Sequence, residues 1–499
     1  MGLTMLWEVY RYFQKGWIER YWIEPEFNFT YPFFSWVTPW TGDGMYAHFW
    51  VMAGFAALVF LGLFYRVAAV GLSLTFTYTF LLEETRYLNH FYLVSLITFV
   101  MIFLPAHRAL SLDALIFKRR RVATIPLWSL ALARFMIAVP YFFGGVAKCG
   151  HDWFHGEPMR MWLARRTDIF PVVGEWFTEE PVVYFFTYSG VLIDLLAAPA
   201  LLWSRTRPYA LTVLMLFHFT NSRLFDIGIF PWCMLLATTI FFPADWPRRI
   251  GATLFAKPTA TTWATLGSAG ALGALGIWFR TEFAWVPFIA GATAGTILGW
   301  TLWTRWTAAS GLARVRALFL PSELSSTVVD VPPPATLSGG QRVTLALIGV
   351  WVLVQVLVPL RHYAIPGNVH WTEEGHRFAW HMKLRTKRGD LMYRIVEPQS
   401  GDEINVDPSQ ELPRWQFRKL AARPYLIHQY ALHLAEVHGL GDRYPVEVYA
   451  ESFATLNGRA MQRLIAPDVN LAAQPLGEWK ADWIVPLTVP LTVPLEKRR

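Results

Sequence analysis

Residues 126–148, PLWSLALARFMIAVPYFFGGVAK, carry two charges, Arg134 and Lys148, in an otherwise apolar run. One helix needs about 20 such residues to cross the hydrocarbon core of a bilayer, so 126–147 reads as a membrane span. Comparable runs lie on either side, near 46–65, 68–83, 88–105, 181–203, 208–220, 227–243, 263–280, 284–304 and 342–360. The helix at 3–17 reads as the end of a further span. The pattern predicts a polytopic α-helical membrane protein of about 9–11 spans.

Composition agrees with that reading. Of 499 residues, 54% are hydrophobic and 16% charged, with a mean hydropathy of +0.31; soluble domains average about 25% charged. Disordered, collagenous and coiled-coil chains are excluded by the same figures. The charges are also segregated, with 33 of the 80 beyond residue 361. The chain therefore divides into a helical membrane domain at 1–321, a Pro/Ser/Gly-rich linker at 322–341, a last span at 342–361 and a soluble domain at 362–499. In that domain 380–386 and 391–397 read as strands about a turn at Arg388-Gly389-Asp390, and 414–438 as one or two helices. The proline-broken repeat VPLTVPLTVPL at 485–495 reads as the end of the fold. A mixed α/β C-terminal domain is expected.

Charge sets the orientation. If the first helix starts in the cytoplasm, the inside connections carry Arg66, Lys118 to Arg121, Arg205, Arg207, Arg248, Arg249, Arg314 and Arg316. The outside connections carry Glu24, Glu26, Glu83, Glu84, Asp152, Glu175, Glu179 and Glu180. The positive-inside rule favours this arrangement and puts the C-terminal domain outside the cytoplasm. The net charge of +8 is thus a partner of lipid, with no nucleic acid implied. Cys149 and Cys233 are too few for a disulfide framework, and Met1 to Thr4 lack the basic start of a signal peptide.

Charges inside spans are expensive and point to function. Arg134, Tyr141 and Lys148 recur every seven residues and so share one helix face within about 40°. Asp194, in the middle of 181–203, is expected to neutralise Arg134, which reads equally well as a structural ion pair. Lys148 ends its span after Gly144-Gly145; it is either a lysine snorkelling to headgroups or an amine in an apolar pocket, able to act as a general base. Asn89, His90, His218 and Asn221 come to the same outer depth, His218 and Asn221 one helical turn apart. His151 and His155 have metal-chelating i,i+4 spacing, and His370, Glu373, Glu374 and His376 cluster, but neither is a complete metal motif. No metal is expected.

The stretch YFFGGVAKCGHDWFHGEPM at 141–159 resembles the catalytic segment of vitamin K-dependent gamma-glutamyl carboxylases. The resemblance continues in TRYLNHFYL (85–93), IPLW (125–128) and FHFTNSRLFDIGIF (217–230), then through HWTEEGHRFAWHM (370–382), PRW (413–415) and MQRLIAPDV (461–469). Bacterial relatives are called HTTM domain proteins. The resemblance implies an integral protein of a bacterial cell membrane. It also implies a reaction: a lysine deprotonates reduced vitamin K (phylloquinone or menaquinone hydroquinone), O2 adds, and a strongly basic oxygenated species removes a proton from the gamma carbon of a glutamate in a protein or peptide. CO2 adds there to give gamma-carboxyglutamate, leaving vitamin K epoxide.

By the same resemblance the catalytic lysine is Lys148, the second of a pair whose first member is here Ala147. Asn89 and His90 are the catalytic asparagine–histidine pair, and Tyr141, Phe230 and Met382 contact the quinone. Arg165, His218, Asn221, Trp380 and Arg385 serve the glutamate side, Arg385 standing where the animal pattern has histidine. Much of the lumenal, propeptide-recognising region of the animal members is missing or changed. The physics agrees on location, since such a base survives only in a dry pocket, and a lipid-soluble quinone and a protein glutamate meet at the outer membrane face. Two rivals remain at this point, a quinol epoxidase or oxygenase without carboxylation and a non-enzymatic transporter or scaffold.

Overall fold

The computed structural model describes residues 1–117, 122, 124–168, 173–225, 227–243, 246, 336–439, 445–477 and 480–491. The expected spans at 263–280 and 284–304, most of the 322–341 linker, the Lys118–Arg121 run and Arg248, Arg249, Arg314 and Arg316 lie outside the described residues. The helical body comprises α1 (Gly2–Gln14), α2 (Gly44–Leu61), α3 (Tyr65–Leu81), α4 (Asn89–Phe103), α5 (Leu112–Ile116), α6 (Leu127–Lys148), α7 (His151–Phe154), α8 (Met159–Leu163), α9 (Glu180–Leu202), α10 (Arg207–Leu224), α11 (Phe230–Thr238) and α12 (Gly339–Leu360). Among the described residues, four helices are long and apolar enough to cross a membrane: α2, α6, α9, and α12 with its continuation to Ala364. α4 and the run Phe230–Phe241 are apolar but shorter.

The apolar residues sort by depth rather than by amphipathic face. On α12 only 11% of the apolar window is buried, and Val343, Leu347, Val350 and Leu357 are all exposed. An exposed apolar belt of this kind is stable against lipid and not against water. Toward the interior, α6 and α9 pack closest. The reason is local: a Cβ on Gly145 would stand 2.7 Å from the Leu195 side chain and 3.0 Å from its backbone nitrogen. Only glycine lets the two backbones approach so far.

The C-terminal region is an antiparallel sheet of order β2-β1-β3-β4, formed by β1 (Lys387–Val396), β2 (Glu403–Val406), β3 (Glu447–Leu456) and β4 (Gln462–Arg463). Two helices, α13 (Arg414–Leu420) and α14 (Pro424–His438), accompany it. Leu391, Tyr393 and Ile395 of β1 alternate inward with Val448 and Ala450 of β3, meeting Leu426, Ile427 and Tyr430 of α14. Burying each large apolar side chain of this set contributes about 1.5–3 kcal/mol.

Two sequence expectations here are corrected. Arg388-Gly389-Asp390 is not a turn; β1 runs straight through it, Gly389 pairing with Ala454. Its glycine answers a close approach, because a Cβ there would lie 1.9 Å from the Ala421 carbonyl oxygen. Residues 380–386 form no strand, and Trp380 and Lys383 have left-handed φ of 59° and 51°. The expectation of one or two helices at 414–438 resolves into two. The start of the 485–495 repeat is strapped to the sheet, with the Val485 N–H donating to the Leu464 carbonyl at 3.0 Å and Val485 accepting from Trp371 Nε1 at 2.7 Å.

Polar clamps lock the sheet region onto the helical body. Glu84 forms a buried ion pair with Arg377. The Thr30 N–H donates to Gln429 Oε1 at 2.9 Å, and Gln429 Nε2 returns a bond to the Thr30 carbonyl at 3.1 Å. Asp152 accepts two bonds from Arg459, at 2.6 and 2.7 Å, and one from Asn457 at 2.8 Å.

Burial alone would raise the Asp152 carboxyl, but the hydrogen bonds from Arg459 and Asn457 and the Arg459 charge overcome it and hold it below the ordinary 3.8. Its contribution is therefore full above pH 3.8 and lost as pH falls through the lower folded value. Asp152→Ala strands a mostly buried guanidinium and should cost about 3–5 kcal/mol. Thermal unfolding in detergent should show the full loss at pH 7 and a shrinking difference from wild type below pH 3.8. A pH-independent difference would contradict the clamp.

Candidate functional site

Lys148 closes the last turn of α6, and its ammonium is buried. Nζ donates to Asp194 Oδ2 of α9 at 2.5 Å and to the Gly144 carbonyl at 3.3 Å, and lies 5.5 Å from the centre of the Trp153 ring. Asp194 is thus the partner of Lys148. The expected Arg134–Asp194 pair is not formed. Arg134 instead donates to the carbonyls of Ile240, Phe241 and Phe242 at 3.0, 3.4 and 3.4 Å, satisfying a frayed helix end. Gly144 leaves room for the Asp194 carboxylate beside Lys148, since a Cβ there would stand 3.2 Å from Asp194 Oδ2 and 2.9 Å from Met382 Cε.

The pair opens on a cavity of about 580 Å³ lined mostly by apolar and aromatic side chains. Of the residues expected from sequence, Asn89, His90, Tyr141 and Lys148 line it, as do His218, Asn221, Phe230 and Met382. The His90 ring stacks on Phe230 at 5.2 Å. Tyr141 Oη and His218 Nε2 share a hydrogen bond of 2.6 Å between α6 and α10. Asn89 uses both ends of its amide, Nδ2 donating to the His381 carbonyl at 3.1 Å and Oδ1 accepting from Tyr87 Oη at 3.0 Å. The loop 381–383 that roofs the cavity is therefore tied to the start of α4. An apolar chamber with a few convergent polar groups suits a flat apolar ring bearing polar oxygens.

The other three expected residues lie elsewhere. Trp380 is fully buried beside Tyr92, ring centres 5.1 Å apart, and does not line the cavity. Arg165 and Arg385 line a second cavity of about 1000 Å³ between the body and the sheet region. The two cavities meet, because Leu88, Asn89, Trp162 and Lys383 line both. Arg385 is committed, its Nη2 donating to Glu373 Oε2 at 2.6 Å and its Nε to His376 Nε2 at 3.1 Å.

Sequence reading missed the Lys148–Asp194 pairing and the convergence of His381 on His370 and His376. One nitrogen from each of these three imidazoles lies within 4.8 Å of the others, the arrangement among the described residues most like a metal-ligand set. Burial holds His376 and His381 well below the ordinary 6.5, with the Arg385 charge acting in the same direction. The trio is therefore neutral at pH 7. Neutral imidazoles suit a metal, while the Arg385 bond to His376 and the surrounding guanidinium charge oppose a cation.

Two family models match the chain. The HTTM domain matches residues 1–246 and the lumenal domain of vitamin K-dependent gamma-carboxylase matches residues 340–489. No solved structure matches it.

Removing one partner of a buried ion pair costs about 3–5 kcal/mol, while removing both costs far less. Asp194→Ala should accordingly lower the melting temperature in detergent sharply, and Lys148→Met combined with Asp194→Leu should recover most of the loss. A double variant no more stable than Asp194→Ala would refute the pairing.

Proposed function

This chain belongs to the vitamin K-dependent gamma-glutamyl carboxylase family, and we propose that it carboxylates protein glutamate at the expense of reduced vitamin K, O2 and CO2. The observation that carries the reading is the Lys148 amine held against Asp194 at the wall of an apolar cavity. Reduced vitamin K, bound there and oxidised by O2, supplies a base strong enough to take the gamma proton of glutamate.

The residues present fit such a ring. Phe230, stacked on His90, and Met382 offer apolar walls, and the Tyr141–His218 pair offers a polar end. Transfer of the proton on Lys148 Nζ to Asp194 Oδ2 leaves a neutral amine beside a neutral carboxyl. Separated charge is costly in an apolar surround, so this neutral form is accessible and the amine can accept a proton from a phenol. His90 and Asn89, which line the same cavity, would offer fixed hydrogen-bond donors to a ring oxygen held there, with little reorganisation. Met382 and the loop tied to Asn89 exclude water, which would quench a strong base.

An integral membrane protein with a non-cytoplasmic domain follows from the lumenal-domain match and the apolar helices. We read it as polytopic, in a bacterial cell membrane, with the sheet region outside. The quinone then enters from lipid and the glutamate from the aqueous side, through the second cavity. The menaquinone and phylloquinone hydroquinones both suit an apolar chamber.

Purified protein in detergent should incorporate labelled CO2 into a glutamate peptide only when hydroquinone is supplied, with epoxide formed alongside. Lys148→Ala should lower both by about 10²–10⁴-fold, the range for loss of a general base. Epoxide without incorporation would identify an uncoupled quinol oxygenase. Neither product from folded wild-type protein would sink the carboxylase reading.

A further inference from the structure

The segment that leads from the last span to β1 carries His370, His376 and His381 at spacings that match neither a helix face nor a strand face. His370 sits on the short helix Val369–Thr372. Beyond it, left-handed backbone at Glu373, Gly375, Phe378 and Trp380, with φ between 59° and 69°, folds the chain back on itself. Conformations of this kind persist only where the surroundings impose them. Here the result is three imidazoles turned toward one another, with His376 and His381 buried.

The rings stand at the distances that a shared ion requires. Their centres are 5.7 Å apart for His370 and His376, 5.2 Å for His370 and His381, and 4.8 Å for His376 and His381. Three imidazoles bound tetrahedrally at about 2.0–2.1 Å would have centres about 5.2 Å apart. The nitrogens also lack other work. His370 Nδ1 and both nitrogens of His381 are buried with no hydrogen-bond partner among the described residues, a costly state for any polar group. His376 is engaged in a way that reveals its tautomer. Arg385 Nε donates to His376 Nε2 at 3.1 Å, so that nitrogen carries the lone pair, while Nδ1 faces Glu373 Oε2 at 4.0 Å. A carboxylate beside one ring nitrogen is the usual means of orienting the other toward a metal.

We infer that His370, His376 and His381 form a site for one divalent transition-metal ion of the zinc class, for which Arg385 is the built-in competitor. The guanidinium holds the His376 lone pair in the free protein and yields it when the ion arrives. Its Nη2 bond to Glu373, 2.6 Å long, need not break. Imidazole nitrogen suits such ions, whereas Mg2+ and Ca2+ demand oxygen ligands. None of the three histidines lines the Lys148 cavity, but the His381 carbonyl holds Asn89 and the next residue, Met382, is part of the cavity wall. The ion would therefore staple the roof of that chamber without touching what reacts inside it. The inference does not rest on the carboxylase reading.

The test uses full-length protein without a polyhistidine tag, in neutral detergent, stripped with a chelator and titrated with Zn2+ or Co2+. Wild type should take up one ion per chain, counted by elemental mass spectrometry, and bound Co2+ should show the visible absorption of tetrahedral coordination. His370→Gln combined with His381→Gln should weaken binding about 100-fold or more. His151→Gln combined with His155→Gln, the other closely spaced pair with rings 4.2 Å apart, should leave it unchanged. Arg385→Gln removes both the competing N–H and a positive charge, and should tighten binding at least about tenfold. A gain of affinity cannot come from a misfolded roof. Excess Mg2+ or Ca2+ should not displace the ion. No stoichiometric uptake by wild type would overturn the site. So would loss of binding with the His151/His155 pair, displacement by Mg2+, or weaker binding in Arg385→Gln.

Discussion

An ammonium and a carboxylate buried together in an apolar surround form the constraint on which the rest of this molecule depends. Neither Lys148 nor Asp194 is tolerable there alone. Each therefore dictates where its helix must lie, and the two glycines at 144 and 145 are what allow α6 and α9 to comply. The pair fixes one wall of the chamber. The opposite wall is set by the roof loop, hung from Asn89 through the His381 carbonyl. Because that loop continues into β1, the sheet region and the chamber are parts of one arrangement. The clamps through Asp152, Thr30 and Glu84 keep the two regions in register.

Much of this was legible in the sequence, for physical reasons that differ between elements. Segments such as α2, α6, α9 and α12 declare themselves because length and apolar content are sufficient to identify a candidate span. The depth of Asn89, His90, Lys148, His218 and Asn221 followed from the ends of those segments, and all five line one cavity. Lateral partnership was not legible. Arg134 and Lys148 share a face of α6, so periodicity could not say which would meet Asp194; the structure pairs it with Lys148 and leaves Arg134 to the carbonyls of residues 240–242. Arg388-Gly389-Asp390 carries a strong local turn signal, overridden by ten residues of pairing with β3 and by the Ala421 carbonyl against Gly389. Trp380, expected on the glutamate side, packs beside Tyr92 and does not line the Lys148 cavity. The basic cavity could not have been read at all, because its charges come from segments separated by as many as 258 positions (165 to 423).

The two chambers divide the chemistry of the molecule by polarity. One is apolar, and Lys148, Asp194, Tyr141, His218 and Asn89 on its wall are already paired with one another or with backbone, so it suits a lipid-borne ring. The other is wide, cationic and open, and stands on the side of the sheet region. Leu88, Asn89, Trp162 and Lys383 form the threshold between them. A reactant anchored in one chamber can extend a single side chain into the other without bringing bulk solvent with it.

The sign of the wide chamber has a further consequence for what can occupy it. Ten basic side chains against two acidic ones hold an anion more tightly the more charge it carries. Dissolved salt weakens that hold at the open mouth, where screening sets in over about 8 Å at physiological ionic strength. The chamber therefore ranks what enters by charge before shape is tested.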